Sequence, residues 1–306
     1  MSIDSFKGAF FMGVVVKHQI YNKTGIEVIP VSEAVGVEIR GVELSQPLND
    51  DTFAAIYRAW LDYGVVLFRN QQMTVADQVV FSRRFGELDI APPQENGQKS
   101  VPGFPEILVI SNVIENGELI GSLGAGELVW HMDMTYIDTP PKAICLRSLE
   151  VPDRGGDTGL LNTCKAYEEM PEALRVRVEG LTIKHDATHN SAGYLRSELD
   201  EFTDITTSPG AIHPIVLTHP ETNRKNLYLG RRPYAYIPGL SIEDSEALLD
   251  ELWAWIDQPQ FYWHHQWRNG DLLLWDNRSI IHRRDAFDSS SRRILYRTQI
   301  RDNRWS

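Results

Sequence analysis

Short apolar runs separated by turn residues recur along the chain and predict many short strands. They lie at 65–68, 106–111, 142–149, 157–162, 181–185, 212–219 and 225–230, and FYWHHQW, DLLLWD and RRILYRTQI follow near the carboxyl end. Apolar residues recur at helical spacing in 49–64, 74–86 and 241–257. Many strands at even spacing with few helices favour a mainly β fold, a sandwich or jelly roll of antiparallel strands with flanking helices.

The chain shows no internal repeat, low-complexity tract or linker, so we expect a single domain over residues 1–306. Residues 1–25 are interpreted as an N-terminal extension, because the apolar run at 8–16 is too short to cross a bilayer and no small-residue cleavage site follows it. Residues 89–128 are rich in proline and glycine around one clear strand. Long loops of this composition often cover active sites.

Charge and cysteine content narrow the class of partner. The net charge of −12 and the pI of about 5.2 argue against nonspecific binding to nucleic acid or to an anionic membrane. An anionic partner must therefore meet a local group of arginines. The two cysteines, Cys145 and Cys164, fit neither a disulfide framework nor a four-thiolate zinc site, and the reducing cytoplasm is the natural compartment.

The stretch WHMDMTYIDTPP, residues 130–141, contains a candidate metal chelate. On a strand, residues i and i+2 project to the same face, so His131 and Asp133 point together while Trp130 and Met132 point into the core. One imidazole and one carboxylate provide two of the three ligands of a ferrous site of the facial-triad type. The sequence must supply one more histidine from a neighbouring strand.

Among nine histidines, His282 is the best candidate for the third ligand. It follows GDLLLWDNRSIIH, in which a turn, an apolar strand and a second turn bring it to the end of a strand. The next strand carries Arg293 and Arg297, four residues apart and on one face. Paired guanidinium groups bind carboxylates, so this face is a candidate anion site. His264 and His265 are adjacent on a strand, face opposite ways, and cannot both serve one metal.

Several motifs resemble the taurine dioxygenase / 2,4-dichlorophenoxyacetate dioxygenase (TauD/TfdA) family of Fe(II)- and 2-oxoglutarate-dependent oxygenases, over about residues 26–301. The matching pieces are GVEIRGVELSQPL, GVVLFRNQ, FSRRFGEL, PDRGGDTGLLN, THPETNRKNLYLG and GDLLLWDNRSIIH. The resemblance implies a double-stranded β-helix, or jelly roll, and a dimer or tetramer of identical chains.

The resemblance also implies the roles of individual residues. His131, Asp133 and His282 match the iron ligands, and Thr158 and Arg293 match the residues that hold the distal carboxylate of 2-oxoglutarate. Arg297 matches the position that meets the anionic group of the prime substrate in taurine-type members. The expected activity consumes 2-oxoglutarate and O2, releases succinate and CO2, and hydroxylates the substrate.

Asp133 bears on the reaction outcome. Related halogenases lack this carboxylate, which leaves space for a halide on the metal. Its presence here predicts oxygen transfer rather than halogenation.

The substrate is less well defined. The loop DIAPPQENGQKSVPGF lacks the histidine and tyrosine of taurine-type members, so taurine is disfavoured. Glu127 occupies the position of a family asparagine and either meets a cationic group on a zwitterionic substrate or faces solvent. Sulfonates, sulfate esters, aryloxyalkanoates and related carboxylates all remain open.

Two other classes of protein share these residues. One is a metal-dependent hydrolase that uses the same two histidines and one aspartate, and the other is a non-catalytic anion-binding barrel. A clamp for a 2-oxo dicarboxylate, formed by Arg293 and Thr158, favours the oxygenase.

Overall fold

The computed structural model describes residues 19–21, 24–91, 101–126, 128–196 and 202–303, the first of these as backbone only. Glu127, the run at 8–16 and part of the 89–128 loop therefore lie outside the described residues. The helices are α1 Asp50–Tyr63, α2 Val75–Arg83, α3 Thr163–Glu168, α4 Glu172–Val178 and α5 Ile242–Ile256. The strands are β1 Gln19–Tyr21, β2 Ile26–Pro30, β3 Val37–Arg40, β4 Val65–Phe68, β5 Leu108–Ser111, β6 Ile114–Glu115, β7 Glu118–Leu119, β8 Ser122–Leu123, β9 Leu128–His131, β10 Ala143–Glu150, β11 Thr158–Asn162, β12 Thr182–Lys184, β13 Ile212–Pro214, β14 Val216–Thr218, β15 Lys225–Leu227, β16 Tyr262–His265, β17 Leu272–Asp276, β18 Ile280–Arg284 and β19 Ile294–Ile300.

Two sheets form the centre of the molecule. The major sheet has the order β1-β2-β3-β4-β17-β10-β19-β5-β8, and the minor sheet has the order β16-β11-β18-β9. Their pairings are antiparallel except for β3 with β4 and β5 with β8. Strands far apart in sequence are neighbours in both sheets, as expected for a jelly roll. The expected jelly-roll fold is confirmed.

Alternation along the strands produces four layers. In β4, Val65 and Leu67 pack between the two sheets, whereas Val66 and Phe68 pack against α1 and α2 on the outer face of the major sheet. On the outer face of the minor sheet, Trp130 packs with residues of α3, α4 and α5. The space between the sheets is therefore lined by one face of each, and the candidate ligands of the minor sheet lie on that face.

All three predicted helices are present: α1 and α5 begin and end within one residue of the predicted segments, whereas α2 ends at Arg83, three residues before the expected stop at Gly86. The side chain of Asn49 accepts a hydrogen bond from the backbone N–H of Thr52 at 2.8 Å, and Gly64 ends α1 with a φ of 72°. Thr74 and Asp77 form the capping box of α2. The short helices α3 and α4 were not predicted, because six or seven residues give too little periodicity to recognise. Among the described helices, none is both long and apolar enough to cross a membrane.

One predicted strand is divided in the structure. The run at 212–219 forms β13, which pairs with β12, and β14, which pairs with β15, with Ile215 between them. Pro214 ends the first segment and cannot donate a backbone hydrogen bond. The apolar pattern is therefore shared between two small ladders instead of one strand.

Candidate metal and cofactor site

Three predicted ligands converge between the two sheets. His131 ends β9 and His282 lies in β18, and the two are directly opposite partners across the antiparallel pair. Their ring centroids are 4.2 Å apart. Asp133 follows β9 by two residues, and one potential ligand atom from each of the three side chains lies within 4.8 Å of the others. Among the described residues, no other group of three histidine, cysteine or acidic side chains is arranged in this way.

The side chains of His131 and His282 are suited to bind a metal as neutral imidazoles. Nδ1 of His131 lies 2.7 Å from the carbonyl oxygen of Val129, which can only accept, so Nδ1 carries the proton and Nε2 keeps its lone pair. Burial lowers the pKa of His131 to about 4, although Asp133 opposes this shift. Burial, together with His131, also holds the pKa of His282 well below its usual range. Both rings are therefore neutral near neutral pH.

Asp133 is held at its backbone and at its carboxylate. The backbone N–H of Asp133 donates to Oδ1 of Asn277 at 2.9 Å, and Nδ2 of Asn277 donates to the Asp133 carbonyl at 3.0 Å and to the Pro141 carbonyl at 3.1 Å. Nη1 of Arg297 donates to Oδ2 of Asp133 at 2.8 Å. Burial alone would raise the pKa of Asp133, but Arg297 and the two histidines outweigh it and lower the pKa to about 2. The carboxylate is therefore ionised.

These three side chains fit Fe(II). Two neutral imidazoles and one carboxylate are the facial donor set that leaves other coordination positions free. Nδ1 of His282 is buried without a hydrogen-bond partner in the described part of the chain. A buried imidazole with an unmet nitrogen is costly in a purely structural role.

A cavity of about 720 Å³ opens beside the ligands. His131, Asp133 and His282 line it, and so do the predicted anion-binding residues, Thr158, Arg293 and Arg297. The structure therefore brings together every predicted site residue that it describes. Glu127 lies outside the described residues, and its predicted contact with a zwitterionic substrate stays a prediction.

Thr158 and Arg293 both line this cavity. The hydroxyl of Thr158 accepts a hydrogen bond from Nε1 of Trp267 at 2.9 Å, so its own proton is available to a ligand. Arg293 is 2% exposed, donates from Nη2 to the carbonyl of Gly156 at 3.1 Å, and leaves Nε buried without a partner among the described groups. Burial, reinforced by Arg284, lowers the pKa of Arg293 to about 9. A ligand carboxylate would satisfy these donors.

Three further residues belong to the site and were not identified from the sequence. Asn277 lies in the WDNR motif, which contributes to the family resemblance without a predicted role for its asparagine. Arg284 and Arg232 both line the cavity, on β18 and on the segment after β15. The signal for Arg284 was its spacing two residues after His282, which puts it on the same face of the strand. Arg232 lies in a loop, where no periodicity indicates its direction.

The two adjacent histidines of β16 lie beside different carboxylates. Nδ1 of His264 lies 3.1 Å from Oδ2 of Asp285, and Nε2 of His265 lies 3.2 Å from Oδ2 of Asp271. The prediction that these two adjacent histidines do not share a metal is consistent with their separate partners. Cys145 and Cys164 are both free and buried, as expected for packing residues.

Comparison with known proteins identifies the family. An (S)-phenoxypropionate/alpha-ketoglutarate-dioxygenase from Sphingobium herbicidovorans is 32% identical over 90% of this chain and 94% of its own length. An alkylsulfatase from Acinetobacter baylyi is 33% identical over 81% of this chain and 76% of its own. The crystal structure of a taurine dioxygenase from Burkholderia xenovorans is 33% identical, with a TM-score of 0.74, and the match covers 91% of this chain and 90% of that one. Residues 27–299 match the family described as "Taurine catabolism dioxygenase TauD, TfdA family". The chain therefore belongs to the TauD/TfdA family of oxidoreductases, dioxygenases that use Fe(II), 2-oxoglutarate and O2.

Proposed function

We propose that this enzyme hydroxylates a small organic anion at Fe(II) bound by His131, Asp133 and His282. Thr158 and Arg293 hold the distal carboxylate of 2-oxoglutarate in this proposal. The observation that carries it is the convergence of the three side chains beside a cavity that is also lined by buried Arg232, Arg284 and Arg293, which form no salt bridge within the described residues. Bound Fe(II) would activate O2, which is the oxidant: decarboxylation of 2-oxoglutarate would supply two of its four electrons and place one oxygen atom in succinate, with release of CO2, while the other oxygen atom would convert a substrate C–H bond to C–OH.

The residues of this chain orient the participants. The hydrogen bond from His131 to Val129 fixes the tautomer that leaves Nε2 toward the metal. Arg297 and Asn277 fix the carboxylate and the backbone of Asp133, so the ligand keeps one orientation. Asp133 would fill the place on the metal that a halide takes in halogenases, which supports hydroxylation over halogenation.

We propose that Arg232 binds the anionic group of the prime substrate. It is 8% exposed, and its Nη1 donates a long hydrogen bond of 3.5 Å to the Asp186 carbonyl. Nε of Arg232 is buried without a partner in the described ranges. Its guanidinium lies 5.0 Å from the ring centroid of Tyr136, and Arg196 lies at the same distance from that ring. All three side chains line the cavity.

Arg297, which the family resemblance assigns to the substrate anion, already has two partners. Nη1 binds Asp133, and Nη2 donates to Oε1 of Gln299 at 3.3 Å. It also lines the cavity, so a contact with substrate remains part of the proposal. Arg232 is a better candidate than Arg297 for binding the anion, because Nε of Arg232 is buried without a partner in the described ranges and a buried unpaired charge is costly.

The apolar part of the cavity lining favours a substrate with an apolar body. Aliphatic side chains that line the cavity are Leu108, Ile110, Leu128, Ile137 and Leu146. An anion with a hydrophobic body, such as an aryloxyalkanoate or an alkyl sulfate ester, would contact both the arginines and these aliphatic side chains. The names of the phenoxypropionate dioxygenase and the alkylsulfatase place such compounds among the substrates of relatives.

Anaerobic addition of Fe(II) and 2-oxoglutarate tests the metal and cofactor assignment. The oxygenase should develop the weak visible band of a metal-chelated 2-oxo acid, and Asp133→Ala should lose it. A hydrolase or a non-catalytic anion-binding barrel would show no such band. Succinate release across aryloxy acids, sulfate esters, sulfonates and zwitterionic amines then selects the substrate class.

Arg232→Ala tests the substrate contact, with Arg231→Ala as its control. Arg231 is the sequence neighbour but pairs with Glu246 at 3.0 Å and with Asp250. Loss of Arg232 should raise the substrate KM roughly ten- to hundredfold, the usual value of a hydrogen bond to a charged group, while the 2-oxoglutarate Kd stays constant. An unchanged KM, or an equal rise in Arg231→Ala, contradicts the assignment. Arg297→Ala should instead weaken metal binding as well, since it releases Asp133.

We also place the whole chain in one catalytic domain in the cytoplasm, where the two buried thiols stay reduced. A dimer or tetramer of identical chains follows from the family resemblance. Light scattering after size exclusion measures this directly.

A further inference from the structure

Arg284 is a second buried cation near Arg293. It is 4% exposed, and its Nη2 donates to the carbonyls of Leu123 and Gly126, the first at 2.8 Å. Nε and Nη1 of Arg284 are buried and meet no acceptor within the described ranges. No salt bridge joins Arg284 or Arg293 to a carboxylate in the part of the chain that the structure describes.

Arg284 lies close to Thr158 and Arg293, the two residues predicted to hold the distal carboxylate of 2-oxoglutarate. It is the direct partner of Thr158 across the β11–β18 pair, so both side chains project from the same face of the minor sheet. The guanidinium carbons of Arg284 and Arg293 each lie 5.7 Å from the ring centroid of Phe287. All of these polar side chains line the cavity.

Two like charges around one aromatic ring, away from water, repel each other and lose their hydration. Folding tolerates this arrangement when an anion that binds there satisfies both groups. A carboxylate has two oxygens and about four acceptor sites, enough for donors from two guanidinium groups and one hydroxyl. The unmet Nε of Arg293 and the unmet Nε and Nη1 of Arg284 are donors of this kind.

We propose that Arg284 is a second guanidinium ligand for the distal carboxylate of 2-oxoglutarate, opposite Arg293 and beside Thr158. This inference rests on the proposed metal and cofactor site. It makes Arg284 a determinant of cosubstrate choice, because two cations favour a 2-oxo acid with a carboxylate at its far end over one without it. Succinate carries the same terminal carboxylate and should bind the same pair.

The test is binding to the Mn(II)-loaded enzyme without oxygen, measured by calorimetry with two probes. 2-Oxoglutarate carries the distal carboxylate, whereas 2-oxobutyrate chelates through the same keto acid end and lacks it. Arg284→Gln should raise the Kd of 2-oxoglutarate about tenfold or more and leave the Kd of 2-oxobutyrate within about twofold. Arg292→Gln is the control, since Arg292 is an exposed neighbour that pairs with Glu150 and Glu115.

A purely structural role, in which Arg284 only ties down the 123–126 segment through its carbonyls, predicts a different result. Both Kd values would then change together or not at all, and either outcome overturns the inference. If Arg284→Gln does not fold, Arg284→Lys is judged by the same ratio of the two Kd values. Failure of the wild-type enzyme to bind 2-oxoglutarate would instead refute the proposed cofactor site itself.

Discussion

At the scale of single residues, the position of the proposed metal ligand Asp133 depends on Asn277. The side chain of Asn277 closes three hydrogen bonds, two with the backbone of Asp133 and one with Pro141. Asp133 lies just beyond β9, so no strand pairing fixes it. The side chain of Asn277 therefore makes the hydrogen bonds to the Asp133 backbone that a neighbouring strand would otherwise make. This explains why Asn277 lies next to the proposed metal ligands.

Replacing Asn277 by Ala should weaken Mn(II) binding by about tenfold or more, as loss of outer-shell support usually does. It should also lower the free energy of unfolding by about 1–3 kcal/mol for each backbone group left unsatisfied. Calorimetric metal titration and urea unfolding measure the two effects. Asn226→Ala is the control, because Asn226 is equally buried and bonds the Leu217 carbonyl at 3.2 Å. Equal loss of metal affinity in both variants would contradict a specific role for Asn277.

The sequence pattern predicts a strand that includes both His131 and Asp133, but β9 ends at His131 and Asp133 lies in the turn beyond it, so strand alternation alone does not explain how the proposed ligands meet. His131 and Asp133 were paired by spacing, and His282 by its position after an apolar strand and a turn. Asn277 and Arg232 act across long distances in sequence from turns and loops, where the direction of a side chain follows from tertiary contacts. Periodicity carries no information about such contacts. Strand alternation does predict that Arg284 shares a face with His282, because the two lie two residues apart in β18.

At the scale of elements, the glycines of the GGDT turn before β11 leave space for Arg293, which we propose binds 2-oxoglutarate. Gly155 and Gly156 have φ values of 76° and 68°. A Cβ on Gly156 would lie 3.0 Å from Nε of Arg293 and 3.3 Å from the ring of Phe287. The glycine therefore lets the turn approach the arginine closely, and its carbonyl then accepts the hydrogen bond from Nη2.

Gly156→Ala should raise the Kd of 2-oxoglutarate severalfold by displacing Arg293, and should cost about 1–2 kcal/mol for the left-handed backbone. Gly180→Ala provides the matched control, because Gly180 has a φ of 78° and nothing within 4 Å of its Cβ position. Both variants should lose similar stability in urea, but only Gly156→Ala should bind 2-oxoglutarate more weakly. A weaker cofactor complex in both would indicate a general loss of order instead.

At the scale of the whole molecule, one buried ion cluster connects distant parts of the chain. Arg278 is fully buried and donates to Asp276, from Nη2 at 2.6 Å, and to Glu221 from Nη1 at 3.0 Å. Nε2 of His219 lies 2.9 Å from Oδ2 of Asp276, and Tyr57 of α1 donates to Glu221 at 2.6 Å. The cluster therefore ties the first helix and the turn after β14 to the turn that carries Asn277.

This cluster should make stability depend on acid pH. Burial acts to raise the pKa of Asp276, but Arg278 and His219 outweigh it and hold that pKa well below the usual range. A depressed folded-state pKa contributes stability above the unfolded value of about 3.9, and this contribution is lost as the pH falls toward the folded pKa.

Asp276→Asn should therefore be less stable than the wild type by about 3 kcal/mol or more near neutral pH, because it leaves buried Arg278 without its closest carboxylate. The difference should shrink below about pH 4, where the wild-type contribution is itself being lost. Urea unfolding across this range measures it. Asp288→Asn, an exposed substitution at a turn that bonds Ser290, should change little at either pH. A difference for Asp276→Asn that did not vary with pH would contradict the role of its charge.

The positions of Arg196 and Arg232 have a consequence for how this enzyme could diversify. The proposed iron ligands lie on or next to two paired strands of the minor sheet, whereas these two arginines lie in connections outside both sheets. Loops accept sequence change more readily than paired strands do. With the roles proposed above, the metal-binding strands can stay constant while the loops that contact the substrate change, and a few loop substitutions can open the site to new substrates without rebuilding the metal centre.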